Sequence, residues 1–226
     1  VPRDDLEAET GLSLHIAYEN EFLLSGEGME WAAPFSIDSI RRVAPFADLC
    51  TSALLAADVG LETFEPEYGV GQYEVSCGPA VGISGADRVV ITREVIREAA
   101  RQCDIQASFS PKPAPEAVGN GCHLHLSLWD KNHRPVGFDP DGPGQMGPIA
   151  AQFVAGVHRH LAALTAIAAP SPVSYLRLGP HHWSCGYDAV GVQNREAAIR
   201  ICPSPDKNPE TRGNAFNIEI RSTDAT

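Results

Sequence analysis

Polar and apolar positions alternate along residues 12–24, Leu-Ser-Leu-His-Ile-Ala-Tyr-Glu-Asn-Glu-Phe-Leu-Leu. That period of two predicts a strand with Glu19 and Glu21 on its wet face. Strong alternation recurs over 121–129, 196–202 and 215–222, and strand-forming residues also fill 72–77 and 104–109. Between these stretches the period changes to three or four. Ile40, Val43, Ala47, Leu54 and Ala57 predict a helix over 36–59, capped by Ser36 or Asp38 and kinked or broken at Pro45. Val89, Ile96 and Ala100 mark a second helix over 85–102. Ile149, Phe153, Val157, Leu161, Leu164 and Ala168 mark a third, which Pro170 ends. Pro and Gly concentrate at 110–120 and 130–148, so these segments read as loops. Long helices separated by single strands, without a regular βαβ alternation, give an α+β class: a curved, mostly antiparallel sheet around a site, with helices packed outside.

With 226 residues and 43% hydrophobic content the chain can bury one substantial core, so residues 1–226 read as one domain. A formal charge of −12 argues against a nucleic-acid partner, which needs a basic footprint. The six cysteines include no Cys-x-x-Cys pair and read as free thiols of a reducing cytoplasm. Asp4, Asp5, Glu7 and Glu9 occupy the place where a secretory segment would need an apolar run. No stretch approaches the ~18 apolar residues of a membrane span, so the expectation is a cytoplasmic protein without a membrane partner.

The chemistry lies in side chains spaced by two on the predicted strands. Residues i and i+2 of a strand share a face, so Glu19 with Glu21, His123 with His125 and Ser127, and Glu219 with Arg221 each project into one space. Glu67 and Glu74 flank a Gly-rich turn that can fold back on itself. Clustered carboxylates must take up protons or bind cations, and a carboxylate majority with imidazole suits Mg²⁺ or Mn²⁺. Each motif alone also has a bland explanation. Two solvent-facing glutamates on an edge strand, a polar hairpin loop, a hydrogen-bonded structural histidine and arginines in salt bridges would give the same letters. Arg200 stands out because it interrupts the apolar run Ala-Ala-Ile-Arg-Ile-Cys, where a solvated charge is unexpected. Carboxylate-bound metals, several arginines (Arg177, Arg195, Arg200, Arg221) and a Gly-rich loop together suit phosphoryl transfer. No Walker-type or kinase-type motif occurs.

In order, Glu-Asn-Glu-Phe, Gly-Val-Gly-Gln-Tyr-Glu, Pro-Lys-Pro, Gly-Asn-Gly-Cys-His-Leu-His-Leu-Ser-Leu-Trp, Asn194-Arg195 through Arg200, and Asn-Ile-Glu-Ile-Arg-Ser resemble the motifs of the glutamine synthetase family. The resemblance covers nearly the whole chain. It implies a sheet lining a metal and nucleotide site, with Glu21, Glu67 and Glu74 on one metal and Glu19, His123 and Glu219 on a second. It places Glu62, His125, Ser127 and Arg200 at ATP, makes Arg195 and Arg200 catalytic phosphate-contacting arginines with Arg195 on the transferred phosphoryl group, and puts Arg177, Arg221 and Gly119 at glutamate. The implied partners are glutamate, ATP and an amine, with two Mg²⁺ or Mn²⁺ ions. The implied reaction forms γ-glutamyl phosphate and then a γ-glutamyl amide, in a large homo-oligomer when full length.

Three departures qualify the expectation. His181-His182-Trp183 replaces a flap whose glutamate handles ammonium in true glutamine synthetases, so the expected acceptor is an organic amine or polyamine. Glutamine synthesis from ammonia and a catalytically silent structural member are the alternatives. Asn217 stands where many members carry arginine. The chain reads as lacking the small N-terminal β-grasp domain and the C-terminal region.

Overall fold

The alternation in residues 12–24 produces the longest strand of the molecule, β1 (Leu12–Ser25), in a computed structural model that describes residues 3–27 and 29–225. Its neighbours are β3 (Gln72–Val81) on one side and β5 (Cys122–Asp130) on the other. β2 (Leu61–Pro66) pairs outside β3, while β8 (Asn217–Ile220), β7 (Ala197–Cys202) and β6 (Tyr187–Val192) follow β5. The short β4 (Gln106–Ser108) pairs with the end of β1. The sheet runs β2-β3-β1-β5-β8-β7-β6, and every pairing is antiparallel except β6 with β7. The α+β class and the mostly antiparallel sheet are therefore as expected from the sequence.

One face of this sheet is apolar and carries the helices. Phe22, Leu24, Tyr73 and Val75 meet Phe46, Cys50 and Leu54 of α3 (Ala44–Ala56) and Ile96, Ala99 and Ala100 of α4 (Ile83–Gln102) in one buried cluster. Leu126, Ile199, Ile201, Ile218 and Ile220 form the other, with Ala150 and Val154 of α5 (Pro148–Arg159) and Leu161 of α6 (Leu161–Ala168). Most of these strand residues alternate with polar or charged ones, so the pleat delivers the polar set to the opposite face.

Several boundaries differ from the sequence expectation. The helix expected over 36–59 is two helices, α2 (Ile37–Arg42) and α3, with Pro45 in the first turn of α3, where its missing N–H costs nothing. Ser36 caps α2 by accepting the Ser39 amide at 3.2 Å. The helix expected over 149–168 breaks at His160, whose N–H reaches the carbonyls of Val157 and Gly156 at 3.1 and 3.3 Å and tightens the last turn of α5. The elements α1 (Arg3–Thr10), α7 (Ser174–Arg177), β2 and β6 were not anticipated. β3 runs on to Val81, β4 is shorter than 104–109, and β8 is shorter than 215–222. All six cysteines are free, and among the described residues no helix is long and apolar enough to cross a membrane.

Candidate functional site

Strand register assembles the polar face. Glu21 lies opposite Glu74, Glu19 opposite both Ser76 and His123, His125 opposite Glu219, and Glu219 opposite Arg200. Directly opposed residues share a face at ~5 Å between Cβ atoms, so five strands (β1, β3, β5, β7 and β8) deliver these side chains to one place. Glu19, His123 and Glu219 each offer a ligand atom within 4.8 Å of the others, a spacing that could hold a metal ion. His123 Nδ1 lies 3.1 Å from Glu19, 3.6 Å from Glu21 and 3.7 Å from Glu219. His125 is oriented by Asn217 at 2.8 Å on Nδ1, and its Nε2 lies 2.9 Å from Glu19.

The second expected trio is arranged differently. Glu21, Glu67 and Glu74 line a common cavity, but each has turned to a local donor. Glu21 accepts from the Gly121 amide at 2.7 Å, Glu67 from the Tyr68 amide at 2.9 Å, and Glu74 from the Ser76 hydroxyl at 2.8 Å. Burial and the nearby carboxylates of Glu19 and Glu21 push Glu74 up to about 9, and burial together with Glu21 pushes Glu67 up to about 7. Glu19 behaves oppositely. Burial favours its neutral form, but hydrogen bonds and charge from His123 and His125 outweigh this and hold it well below the ordinary range. For His125, burial is outweighed by Cys202, Glu19 and Glu219, which raise it well above the ordinary range. An oxygen-rich donor set with one imidazole, and a Glu74 carboxyl driven to hold a proton, fit a hard divalent cation.

Two cavities open on this face and share Glu19 and Glu74. One, of about 430 Å³, is also lined by Glu21, Glu67, His123, Gly119, Arg177, Arg195 and Arg221, with Tyr68 and Trp183 among its other walls. The other, of about 700 Å³, is lined by Glu62, His125 and Ser127 together with His15, Glu65, Ser76 and Asn217. The residues expected at glutamate therefore sit in the first cavity, and Glu62, His125 and Ser127, expected at ATP, in the second.

The arginines are more engaged than the sequence implies. Arg177 is buried and donates to the carbonyls of Ser222 and Thr223 at 3.1 and 3.0 Å, and burial lowers its pKa. Arg221 pairs with Glu219 and donates to the carbonyls of Arg195 at 3.0 Å and Trp183 at 2.7 Å. Arg200 pairs with Glu219 at 2.8 Å and lines neither cavity, whereas Arg195 is exposed within the first. Gly119 is required by packing: a Cβ there would meet Arg177 Cγ at 2.5 Å and the Pro111 carbonyl at 2.8 Å. Its own carbonyl accepts from Gln72, which also bonds Asn120 and the Gly69 amide, tying the 67–71 turn to the 110–120 loop.

Sequence reasoning missed Ser76, Tyr68 and Glu196. Ser76 was visible as the i+2 partner of Glu74 on β3, and Tyr68 as an aromatic beside a candidate ligand. The Tyr68 ring packs edge-to-face on Trp183 at 5.2 Å and on Phe35 at 6.1 Å. Glu196 accepts the amides of His181 and Trp183, both at 2.9 Å, and no pattern in the letters marks such a clamp. Those two residues and Cys185 are non-glycine positions in the left-handed region, with φ of 65°, 51° and 65°, a backbone that costs roughly 1–3 kcal/mol per residue unless held.

Residues 4–226 match the family model described as glutamine synthetase, catalytic domain. The chain is 42% identical over 180 residues to the gamma-glutamylpolyamine synthetase GlnA3 of Streptomyces coelicolor, covering 79% of this chain and 37% of that protein. It is 31% identical over 239 residues to type-1 glutamine synthetase 1 of Dictyostelium discoideum, covering 99% and 47%. A solved structure titled as a novel glutamine synthase homolog superposes with a TM-score of 0.91 at 44% identity, covering 98% of this chain and 52% of that one. The chain thus spans about half the length, or less, of these relatives. Because the family model matches nearly the whole chain, and the relatives and the solved structure agree with it, the chain belongs to the glutamine synthetase family.

Proposed function

We propose that this chain is the catalytic domain of an ATP-dependent glutamate–amine ligase whose acceptor is an organic amine or polyamine. The observation that carries this is the pair of cavities meeting at Glu19 and Glu74, one walled by cationic and aromatic side chains and the other by His125, Ser127 and Glu62. In this reading the second cavity holds ATP, and glutamate lies in the first with its γ-carboxylate towards the shared glutamates. Divalent cations, Mg²⁺ or Mn²⁺, held by Glu19, His123 and Glu219 and by Glu21, Glu67 and Glu74, would neutralise phosphate charge and align the two anionic reactants. A γ-carboxylate oxygen attacks the terminal phosphorus, ADP departs with the bridging oxygen, and Arg195 stabilises the transferred group from the first cavity. The amine nitrogen then attacks the acyl carbon, phosphate leaves with the bonding electron pair, and the nitrogen releases a proton. Arg200 and Arg221 act through Glu219, which they hold in place, and Arg177 shapes the glutamate end through residues 221–223.

Support for an organic acceptor comes from Trp183, 54% exposed at the mouth of the first cavity, and from the relative named as a gamma-glutamylpolyamine synthetase. Aromatic faces bind alkyl chains and ammonium groups alike. The relative named as a glutamine synthetase favours ammonia as the second reading. ATP- and glutamate-dependent phosphate release by the full-length protein with ammonium, ethylamine, ethanolamine and putrescine decides between them. Strong preference for ammonium overturns the acceptor assignment, and binding of neither ATP nor Mn²⁺ by calorimetry points to a silent structural protein. The same reading implies a large homo-oligomer for the full-length protein, which its mass in solution tests.

A further inference from the structure

The loop that carries Trp183 holds an unfavourable backbone, with left-handed residues at 181, 183 and 185 and exposed side chains at 181–183 that contribute little burial. It is fixed by two residues that follow it in the chain, Glu196 and Arg221. Its amides at 181 and 183 each donate to a different oxygen of the Glu196 carboxylate, and its carbonyl at 183 accepts from Arg221. Glu196 is itself anchored. Its amide donates to Asn194 Oδ1 at 2.9 Å, its carbonyl accepts from Tyr187 at 3.3 Å, and the buried start of β7 follows at Ala197. A carboxylate with two oxygens is the one side-chain group able to take both amides with a full charge. The clamp therefore sits on the entry to a buried strand and acts on a strained loop whose indole packs edge-to-face on Tyr68 in the wall of the first cavity.

We infer that Glu196 is a positioning residue for acceptor selection: it holds residues 181–183 so that the Trp183 ring and Tyr68 wall the subsite that receives the body of the amine. This rests on the ligase function proposed above and adds to it the residue that fixes its specificity. Because Arg195 precedes Glu196, the phosphoryl end and the acceptor end of the cavity are set by adjacent residues at one strand entry. The substrate class is a primary amine with an alkyl chain long enough to reach the aromatic walls. Ammonium and hydroxylamine are too small to use them.

The test uses the full-length protein with glutamate, ATP and three acceptors: hydroxylamine, ethylamine and putrescine. Glu196→Ala is expected to raise KM for ethylamine and putrescine by on the order of 10-fold to 100-fold, while KM for glutamate and ATP and turnover with hydroxylamine stay within about 2-fold. Glu196→Asp restores part of the loss. Trp183→Ala shows the same acceptor pattern, and the double variant falls no further than either single one, as expected for residues acting as a unit. An equal loss with all three acceptors would place the effect at Arg195 or in the fold and overturn the inference, as would additive losses in the double variant. Should Glu196→Ala fail to accumulate as folded protein, Glu196→Gln, which keeps one oxygen acceptor, takes its place with the same acceptor pattern expected. A wild-type protein that turns over ATP with glutamate but responds to none of these substitutions overturns the inference alone. No glutamate-dependent turnover with any acceptor overturns the ligase function as well.

Discussion

At the β8 end of the charged face, Glu19 and Glu219 each lie against cations or imidazoles: His123 and His125 for the first, Arg200, Arg221 and His123 for the second. At the β3 end, Glu74 has the same side chain on the same sheet face, with a serine hydroxyl for company and Glu19 and Glu21 for neighbours. The first pair is held ionised and Glu74 is driven to hold a proton. Two identical functional groups a few residues apart in the sheet thus have opposite electrostatics, set by which strand faces them. The β8 end is a built network that contributes to the fold, whereas the β3 end waits for charge from outside the chain.

Glu219→Gln breaks that comparison most severely. Glu219 is fully buried, and removing its charge leaves two guanidinium groups beside it uncompensated, which costs about 3–5 kcal/mol. Urea unfolding of the purified variant should show a midpoint lowered accordingly. A midpoint within error of wild type would mean that water, and not Glu219, satisfies the arginines.

Metal gives the next largest effect. Mn²⁺ at a hundredfold excess over its Kd should stabilise the native protein by about 2.7 kcal/mol relative to protein in chelator, read as a shift in the same unfolding midpoint. His123→Ala should remove most of that shift, because it deletes one of the three converging ligand atoms. An unchanged shift would place the ion elsewhere.

The same contrast explains what was legible in the letters. Glu19, His123, His125 and Glu219 could be read because alternation on β1, β5 and β8 fixes which face each residue takes, and the sheet supplies the rest. The outer strands escaped notice for a physical reason. Leu61-Glu-Thr-Phe-Glu-Pro of β2 has no strict alternation, and Tyr-Asp-Ala-Val-Gly-Val of β6 has both faces partly exposed, so neither had to separate polar from apolar residues. The break at His160 has no proline or glycine at that position to announce it. The fate of Arg177 could not be read at all, since its donors are taken by the carbonyls of residues 44–46 positions later. Glu196 is alike: its partners lie 13 and 15 positions earlier in a loop.

A pH-dependent effect sharpens the comparison most. In chelator, Glu74→Gln keeps the shape of the protonated carboxyl and removes its ability to ionise. Glu74 has a folded pKa of about 9 against an ordinary value of 4.5, so the native state binds a proton that the unfolded state releases at neutral pH. The contribution of Glu74 to wild-type stability then falls as pH rises between those two values, and is lost above the folded value. The variant lacks this dependence. Its unfolding midpoint should match wild type near pH 4.5 and exceed it increasingly towards pH 9, the reverse of what Glu219→Gln shows at neutral pH. With saturating Mn²⁺ the order should invert, because the wild-type carboxylate then gains a cation while glutamine offers only a neutral oxygen. A variant that is less stable than wild type in chelator at pH 8 would mean that Glu74 is ionised and paired in the metal-free protein, and the two ends of the sheet face would then be electrostatically alike.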